Sequence, residues 1–310
     1  MALDTARSIT NNRALTKTFL NNNFDRGLER ANPFYPEIAT VVQSTGADEE
    51  YGGLGSVPGM REWIGDRRFD TLRGAKFSIE NRHWESGVEV LKTDIEDGRL
   101  VKYGTILEEL GVEAMHHPDE LMFELLIAGE SQTCFDGQFF FDTDHVWGDS
   151  GSQSNDLTSA ASTGTTPTAA EFRTAYHAAR AAMLAFKRDN GKYFHRPTLA
   201  PVSDMLMLVP ATHEEQARKA FEQPYLSSGE SNFTMDAPRI LATPYLTADK
   251  FYVLRVGQPL KPFVFQARQP LRRQTKGWDD QETKDVKFMV DARYNAGYLA
   301  WWNAVLTTWT

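Results

Sequence analysis

The sequence has one cysteine, no long apolar run and no excess of basic residues, and each shortage excludes a class of protein. Cys134 has no second thiol with which to form an intrachain disulfide, and it excludes zinc or iron–sulfur sites that need several cysteines of one chain. No stretch approaches the roughly 18 consecutive apolar residues of a membrane-spanning helix. The first residues lack a basic head followed by an apolar run, which predicts no signal peptide. We therefore expect a soluble protein made in the cytoplasm.

The charge balance is acidic, with 42 Asp and Glu against 33 Lys and Arg and a net charge of −9. A globally basic surface that would hold nucleic acid through its phosphates is therefore absent. The chain has 310 residues, of which 41% are hydrophobic and 12% aromatic. This is enough to fill the core of one large domain or of two ordinary ones.

The first third of the chain is poor in core-forming segments. Residues 1–50 are polar and predict a short helix around Leu15, followed by an extended arm. Residues 51–65 form a Gly-rich turn that lacks the GK[ST] ending of a phosphate-binding loop. Residues 66–93 alternate apolar and charged residues, which predicts a long projecting hairpin that needs a partner to lie on.

Regular structure is easier to recognise further along the chain. Residues 102–128 have apolar side chains at helical spacing, and Pro118 interrupts this helix at a point where it can restart. Thr168 and Glu171 predict a capping box at the start of the next helix. The apolar run of residues 205–209 predicts a buried strand, so this part of the chain is an α/β unit.

One cluster allows a catalytic or metal-binding interpretation: Asp142, Asp144 and His145, at the end of CFDGQFFFDTDHVW. On a strand the two aspartates share a face and His145 points away, whereas in a turn all three can converge. Short Asp side chains also bond nearby backbone amides and end strands, so a structural turn explains the same pattern. A metal-dependent hydrolase built on the three side chains stays open as the alternative.

Other catalytic arrangements have less support. A thiolate–imidazole pair of Cys134 and His145 is conceivable, but apolar Phe135 follows the cysteine and no third residue is indicated that would orient the histidine. The sequence contains no G-x-S-x-G, H-E-x-x-H, Walker or dinucleotide-binding motif. We therefore expect no enzyme activity and no cofactor.

Six blocks in a fixed order resemble the Mu-like prophage major head subunit (gpT) family, from about residue 10 to the C-terminus. They are YGGLGSVPGMREWIGDR, VEVLKTDIEDGRL, ILEELG, PDELMFELLIAG, CFDGQFFFDTDH and VDARYNAGYLAWW. The sequence departs from the family pattern at Gly53, where an aromatic residue is expected, and residues 148–166 are typical of a variable loop.

The resemblance implies an α+β fold of the Hong Kong 97 type. Its predicted parts are an N-terminal arm (1–50), an extended loop (66–93), a peripheral domain with a spine helix at about 102–128 (51–65, 94–164 and 263–310) and an axial domain (165–262). In this arrangement Phe139–Phe141 form a strand that leads to the axial domain, and Asp142–His145 form the turn that ends it.

The resemblance also implies the function of a major capsid protein of a tailed phage or Mu-like prophage. Such a protein assembles in the host cytoplasm into hexamers and pentamers of an icosahedral shell, which becomes part of the virion and encloses double-stranded DNA without sequence-specific binding. The expected partners are further copies of the chain, a separate scaffold protein, a portal, and a head protease or decoration protein, with no membrane. Residues of the extended loop are predicted to contact the adjacent subunit: Arg67, Arg68, Arg82, His83, Trp84 and Glu85. An encapsulin-like compartment for protein cargo is the alternative within the same fold class.

Overall fold

A computed structural model of the protein describes residues 13–52, 66, 76–195, 204–225, 228–233, 238–277 and 285–310. Within these ranges the helices are α1 (Arg13–Arg30), α2 (Tyr35–Ile38), α3 (Lys92–Glu96), α4 (Val101–Ala128), α5 (Ala169–Ala185) and α6 (Glu214–Phe221). The strands are β1 (Ala39–Gln43), β2 (Asp48–Gly52), β3 (Lys76–Glu80), β4 (Arg82–Leu91), β5 (Asp156–Ser159), β6 (Met205–Pro210), β7 (Arg239–Thr243), β8 (Lys250–Arg255), β9 (Phe263–Lys276), β10 (Asp285–Tyr298) and β11 (Ala304–Trp309). Among the described residues, no helix combines the length and the low polarity needed to cross a membrane.

The first sheet has four strands in the order β1–β9–β10–β4. Strands β9 and β10 are antiparallel and 14 residues long, β1 joins β9 in parallel, and β4 joins β10 in antiparallel orientation. Helices α1 and α4 pack on this sheet, where Leu20, Phe24 and Leu107 contact Val286 and Phe288 in one buried cluster. The sheet and the two helices thus form two layers that pack against each other.

Helix α1 lies where the sequence predicts a short helix and an extended arm. It spans 18 residues, and its buried positions are Thr16, Leu20, Asn23, Phe24 and Gly27. These positions follow helical spacing, but only two of them carry a large apolar side chain, so the buried stripe is hard to recognise in the sequence. The described part of residues 1–50 is therefore packed within the chain, and strands β1 and β2 follow the helix.

Helix α4 confirms the predicted helix at 102–128, with one difference at Pro118. The helix runs without a break from Val101 to Ala128, and Pro118 is buried inside it. Leu107 and Met122, on either side of the proline, are fully buried. The packing of both halves on the rest of the fold compensates for the hydrogen bond that proline removes.

Within the described residues 76–93, strands β3 and β4 do not pair with each other, as the predicted hairpin would require. Strand β3 pairs with β2, while β4 pairs with β10 over ten residues, and Val90 at the end of β4 is fully buried. The chain changes sheet at Asn81, whose side-chain amide donates to Ser44 Oγ (2.7 Å) and to the carbonyl oxygen of Gly46 (3.1 Å). Residues 67–75 of the predicted hairpin lie outside the described residues, as do residues 53–65 of the predicted Gly-rich turn.

The second sheet has five strands in the order β5–β11–β8–β6–β7 and carries α5 and α6. Strand β6 confirms the predicted buried strand, since all six of its residues are buried. The last strand, β11, pairs with β5 and β8 in this sheet, whereas β9 and β10, which precede it in the segment of residues 263–310, lie in the first sheet. The chain crosses between the sheets at a 3₁₀ turn, Trp301–Asn303, whose side chains are buried. The aromatic C-terminus therefore joins the two sheets.

The capping box at the start of α5 forms as predicted. The backbone N–H of Glu171 donates to Thr168 Oγ1 (3.3 Å), and the N–H of Thr168 donates to Glu171 Oε2 (2.6 Å). The carboxylate also accepts hydrogen bonds from the hydroxyl and the backbone N–H of Ser162. These hydrogen bonds, the one from the Ser162 side chain first, lower the pKa of Glu171 to about 2.

Glu171→Gln is expected to lower the free energy of unfolding by about 0.5–1 kcal/mol at pH 7, as is typical of a weakened cap. The pKa of Glu171 in the folded protein lies below its ordinary value of 4.5. The carboxylate therefore stabilises the fold fully above about pH 4.5, and this contribution is lost as the pH falls through 2. Urea unfolding of both proteins between pH 7 and pH 2.5 should show the difference shrinking with acid. Glu124→Gln, an exposed change on α4, is the control, and an equal difference at all pH values would contradict the prediction.

Candidate functional site

The loop between α4 and β5 holds the residues that the sequence singled out. Phe139–Phe141 are not a strand: Phe139 forms an isolated bridge with Thr133 and is 42% exposed, while Phe140 and Phe141 are both buried. Phe140 stacks on Tyr298 with ring centroids 4.6 Å apart. The backbone N–H groups of Phe140 and Phe141 donate to the carbonyl oxygens of Gln132 and Gly129, just after α4, rather than to a neighbouring strand, and this explains the difference from the prediction.

Asp142 and Asp144 behave as residues of a polar turn. The Asp142 carboxylate accepts hydrogen bonds from the backbone N–H groups of Phe139 (3.2 Å) and Thr143 (2.7 Å). Burial opposes ionisation of this carboxylate, but these hydrogen bonds outweigh burial, and the pKa of Asp142 lies below its ordinary value. A side-chain hydrogen bond with Asp142, followed by desolvation, raises the pKa of Asp144. The pKa values of the two carboxylates are therefore shifted in opposite directions.

His145 points into the core and away from this turn. Its ring stacks on Trp301 with centroids 3.9 Å apart and planes inclined by 6°. Its Nδ1 lies 2.7 Å from Asp136 Oδ2, and both side chains are fully buried. Among the described residues, the cluster whose possible ligand atoms all lie within 4.8 Å of one another is Cys134, Asp136 and His145. The structure thus groups His145 with Asp136 and Cys134 rather than with Asp142 and Asp144.

Asn155 connects this cluster to the C-terminal segment. Its Oδ1 accepts from the backbone N–H of Asp142 (2.9 Å) and lies 3.2 Å from His145 Nε2. Its side-chain NH₂ donates to the carbonyl oxygens of Phe140 (2.8 Å) and Ala304 (3.2 Å). Sequence reasoning missed Asn155 because its partners lie up to 149 residues away, and it missed Asp136, for which the C-x-D spacing was the available signal.

Cys134 is not arranged as a nucleophile. Its thiol donates to Asp136 Oδ1 (3.0 Å) rather than to His145. Burial, reinforced by the charge of Asp136, raises the pKa of the Cys134 thiol. Catalytic cysteines need the opposite shift, because the thiolate is the reactive form. The geometry therefore gives no support to a thiolate–imidazole pair.

The predicted contact residues of the extended loop fall into three groups. Arg67 and Arg68 lie outside the described residues. Arg82, His83 and Glu85 are exposed on β4, at one edge of the first sheet. Trp84 is half-buried and packs within the chain: its Nε1–H donates to the carbonyl oxygen of Tyr294 (3.0 Å), and its ring centroid lies 4.4 Å from that of His117.

Comparison with known proteins identifies the family. The sequence model of the Mu-like prophage major head subunit gpT matches residues 13–172, 168–246 and 247–308. The chain belongs to this family. The Mu-like prophage FluMu major head subunit of Haemophilus influenzae (strain ATCC 51907 / DSM 11121 / KW20 / Rd) is 49% identical over 126 residues, which are 41% of each chain. The major capsid protein of Escherichia phage Mu is 42% identical over 122 residues, 39% of this chain and 40% of that one. The alignments thus span about two fifths of these relatives.

Solved capsid structures resemble this gpT-family chain in fold. The procapsid of bacteriophage JBD30 contains a chain that is 28% identical, with a TM-score of 0.55 over 94% of this chain and 73% of that chain. Two likenesses at 12% identity show the fold alone: the mature capsid of bacteriophage PhiM1 (TM-score 0.59, 90% of this chain and 87% of that chain) and a virus-like particle from Pyrococcus furiosus (TM-score 0.52, 94% and 98%). The predicted α+β fold of the Hong Kong 97 type is confirmed.

Proposed function

We propose that this gpT-family protein is the major head subunit of a Mu-like phage or prophage, and that it assembles into an icosahedral shell around double-stranded DNA. The observation that carries the proposal is the family match, which extends from residue 13 to residue 308. The relatives that match are a head subunit and a capsid protein, which are structural proteins and not enzymes. The protein would accordingly be part of the virion and would assemble in the cytoplasm of the host.

The sheet architecture suggests how the subunit is divided in the shell. We assign the first sheet, with α1 and α4, to the peripheral domain, and α4 is its spine helix. The second sheet, with α5 and α6, corresponds to the axial domain. Strand β11 would then belong to the axial domain, because it pairs with β5 and β8. Residues 263–298 would remain peripheral.

Strand β4 supports a contact with a neighbouring subunit. It is the edge strand of the first sheet, and an edge exposes backbone N–H and C=O groups that can pair with another chain. Exposed charges on β4 discourage nonspecific pairing but permit a partner of complementary charge. We assign the predicted contacts of Arg82, His83 and Glu85 to this edge. The scaffold, portal, head protease and decoration proteins remain proposed partners.

The net charge of −9 suits a shell that encloses DNA, because an acidic inner surface does not adhere to the packaged DNA.

Electron microscopy of the purified protein, alone and with the scaffold protein encoded beside it, tests this function. We expect closed shells, or rings of five and six subunits. A compact monomer under every assembly condition would contradict the proposal. Particles filled with a co-purifying protein instead of DNA would favour the encapsulin-like alternative. The family match speaks against that alternative, and the hydrogen bonds that engage His145 with Asp136 and Asn155 speak against the hydrolase.

Reversing the charge on the β4 edge should reduce assembly without unfolding the subunit. For Arg82→Glu combined with His83→Glu, we expect the yield of shells to fall at least about tenfold, because like charges at an interface cost several kcal/mol. Both side chains are exposed, so the midpoint of thermal unfolding should stay within about 2 °C of the unmodified protein. Shell yield is measured by sedimentation. Lys17→Glu, an exposed change on α1, is the control. An undiminished yield of shells from the β4 variant would show that this edge is not part of the interface.

A further inference from the structure

The cluster of Cys134, Asp136 and His145 has a role that the shell function leaves unexplained. The side chains of Asp136 and His145 are fully buried, and an isolated carboxylate in such a place is costly unless a cation compensates it. Among the described residues, Asp136 forms no ion pair with a Lys or Arg side chain. Its Oδ1 accepts hydrogen bonds from the thiol of Cys134 and, at 3.2 Å, from the backbone N–H of Gln138, and its Oδ2 faces His145 Nδ1. The compensating positive charge must therefore lie within the cluster.

The hydrogen bonds of Asn155 determine which nitrogen of His145 carries a proton. The NH₂ group of Asn155 is oriented by the carbonyl oxygens of Phe140, Ala304 and, at 3.4 Å, Trp301. Oδ1 of Asn155 is thus the atom that faces His145 Nε2, at 3.2 Å, and an amide oxygen only accepts hydrogen bonds. Nε2 therefore bears a hydrogen, and in the neutral ring the lone pair is on Nδ1.

The lone pair of His145 Nδ1 is directed at another acceptor. Asp136 Oδ2 lies 2.7 Å away, and two acceptors at this distance need a positively charged species between them. Either a proton or a metal ion meets this need. The thiol of Cys134 lies 3.0 Å from the other carboxylate oxygen, Oδ1, and one possible ligand atom of each of the three residues lies within 4.8 Å of the others, so sulfur adds a ligand that a proton does not require. We propose that Cys134, Asp136 and His145 bind one divalent transition-metal ion, with zinc as the best match.

The chemistry of the three ligands favours zinc. Zinc binds thiolate, imidazole and carboxylate, and a thiolate with a carboxylate neutralises its two positive charges. Binding would release two protons to solvent, the thiol proton of Cys134 and the proton held between His145 Nδ1 and Asp136 Oδ2, and three metal–ligand bonds would replace them. Cys134 Sγ and His145 Nδ1 contact different oxygens of Asp136, so the three side chains would shift for one ion to reach all of them. Asn155 would act as the outer partner that orients a metal-bound histidine, and a water molecule would complete the coordination.

The site would have a structural purpose. Cys134 and Asp136 lie just after α4, whereas His145 is nine residues beyond Asp136 and stacks on Trp301, between the two sheets. One ion would thus close the loop of residues 134–145 on itself and hold it against the C-terminal segment. Cys134 is partly exposed, which gives the ion a route from solvent.

Metal analysis of untagged full-length protein tests the proposal. The protein is stripped with EDTA, exposed to Zn²⁺, dialysed, and measured by plasma mass spectrometry beside Cys134→Ser and Asp144→Asn. We expect about one zinc per chain in the unmodified protein and in Asp144→Asn, and less than about 0.1 in Cys134→Ser. Zn²⁺ should also raise the midpoint of thermal unfolding of the unmodified protein by roughly 5 °C, and should leave that of Cys134→Ser unchanged.

A second readout uses the fact that Cys134 is the single cysteine of the sequence. Thiol labelling therefore reports on this position alone. With zinc bound, EDTA should raise the labelling rate at least about tenfold, whereas burial alone would give a rate that EDTA does not change. An unchanged rate, less than about 0.1 zinc per unmodified chain, or equal zinc in Cys134→Ser would each overturn the proposal. Loss of zinc from Asp144→Asn but not from Cys134→Ser would overturn the ligand set.

Discussion

Replacing Asn155 with alanine should lower the free energy of unfolding by about 3–5 kcal/mol, one of the largest effects available from a single polar side chain in this protein. The Asn155 amide is fully buried and joins the loop after α4 to the C-terminal segment. Its removal leaves the backbone N–H of Asp142 and several carbonyl oxygens without partners in the core. Each unsatisfied buried group costs about 1–3 kcal/mol, and the costs add incompletely because the loop can relax.

Asn155→Asp is a sharper test, because an aspartate side chain has nearly the same shape as the asparagine side chain that it replaces. It keeps the oxygen that faces His145 and Asp142, but it places a second oxygen against three carbonyl groups. We expect a loss at least as large as that of Asn155→Ala at pH 7. Urea unfolding measures both variants, and Asn22→Ala, an exposed change on α1, should stay within about 0.5 kcal/mol of the unmodified protein. A loss below about 1 kcal/mol for Asn155→Ala would show that the network does not hold these segments together.

The double substitution of Gly27→Ala and Gly111→Ala should lower the free energy of unfolding by about 3–5 kcal/mol, although alanine favours helices more than glycine does. A methyl group at Gly27 would overlap the carbonyl oxygen of Glu108, and one at Gly111 would overlap that of Phe24. Both obstacles are backbone atoms, so α1 and α4 must move apart. That movement loosens the packing of Leu20 and Phe24. The free energy lost through this displacement exceeds the gain in helix propensity, which is about 1 kcal/mol per site.

Gly104→Ala is the matched control for this pair, because Gly104 lies in α4, as Gly111 does, and also faces α1. There the nearest atom to an added methyl group is Asn23 Oδ1, at 3.1 Å, and a side chain can turn aside. We expect the stability of Gly104→Ala to stay within about 1 kcal/mol of the unmodified protein. Thermal and urea unfolding compare the variants. If the double variant were as stable as Gly104→Ala, the close approach of the two helices would be refuted.

The candidate site shows how much of a local structure can be predicted from a pattern of residues. CFDGQFFFDTDH identified the correct loop, and Asp142 and Asp144 do form its polar turn. The sequence could not show that His145 turns inward to Asp136 and Trp301, because a histidine beside two aspartates is equally compatible with both directions. The partner that orients the ring, Asn155, lies on the far side of a loop without regular periodicity.

Sequence alone determined the features that depend on neighbouring residues. The periodicity of α4, the capping box of Thr168 and Glu171, the buried strand β6 and the six family blocks are all local, and the structure and the comparisons confirm them. Only the tertiary structure decided that α1 packs on α4 through Gly27 and Gly111, that β11 joins the second sheet, and that Asn155 connects His145 to the C-terminus. The physical reason is range: helix and cap hydrogen bonds link residues three or four apart, whereas these contacts link residues 10 to about 150 apart and depend on the shape of the packed core.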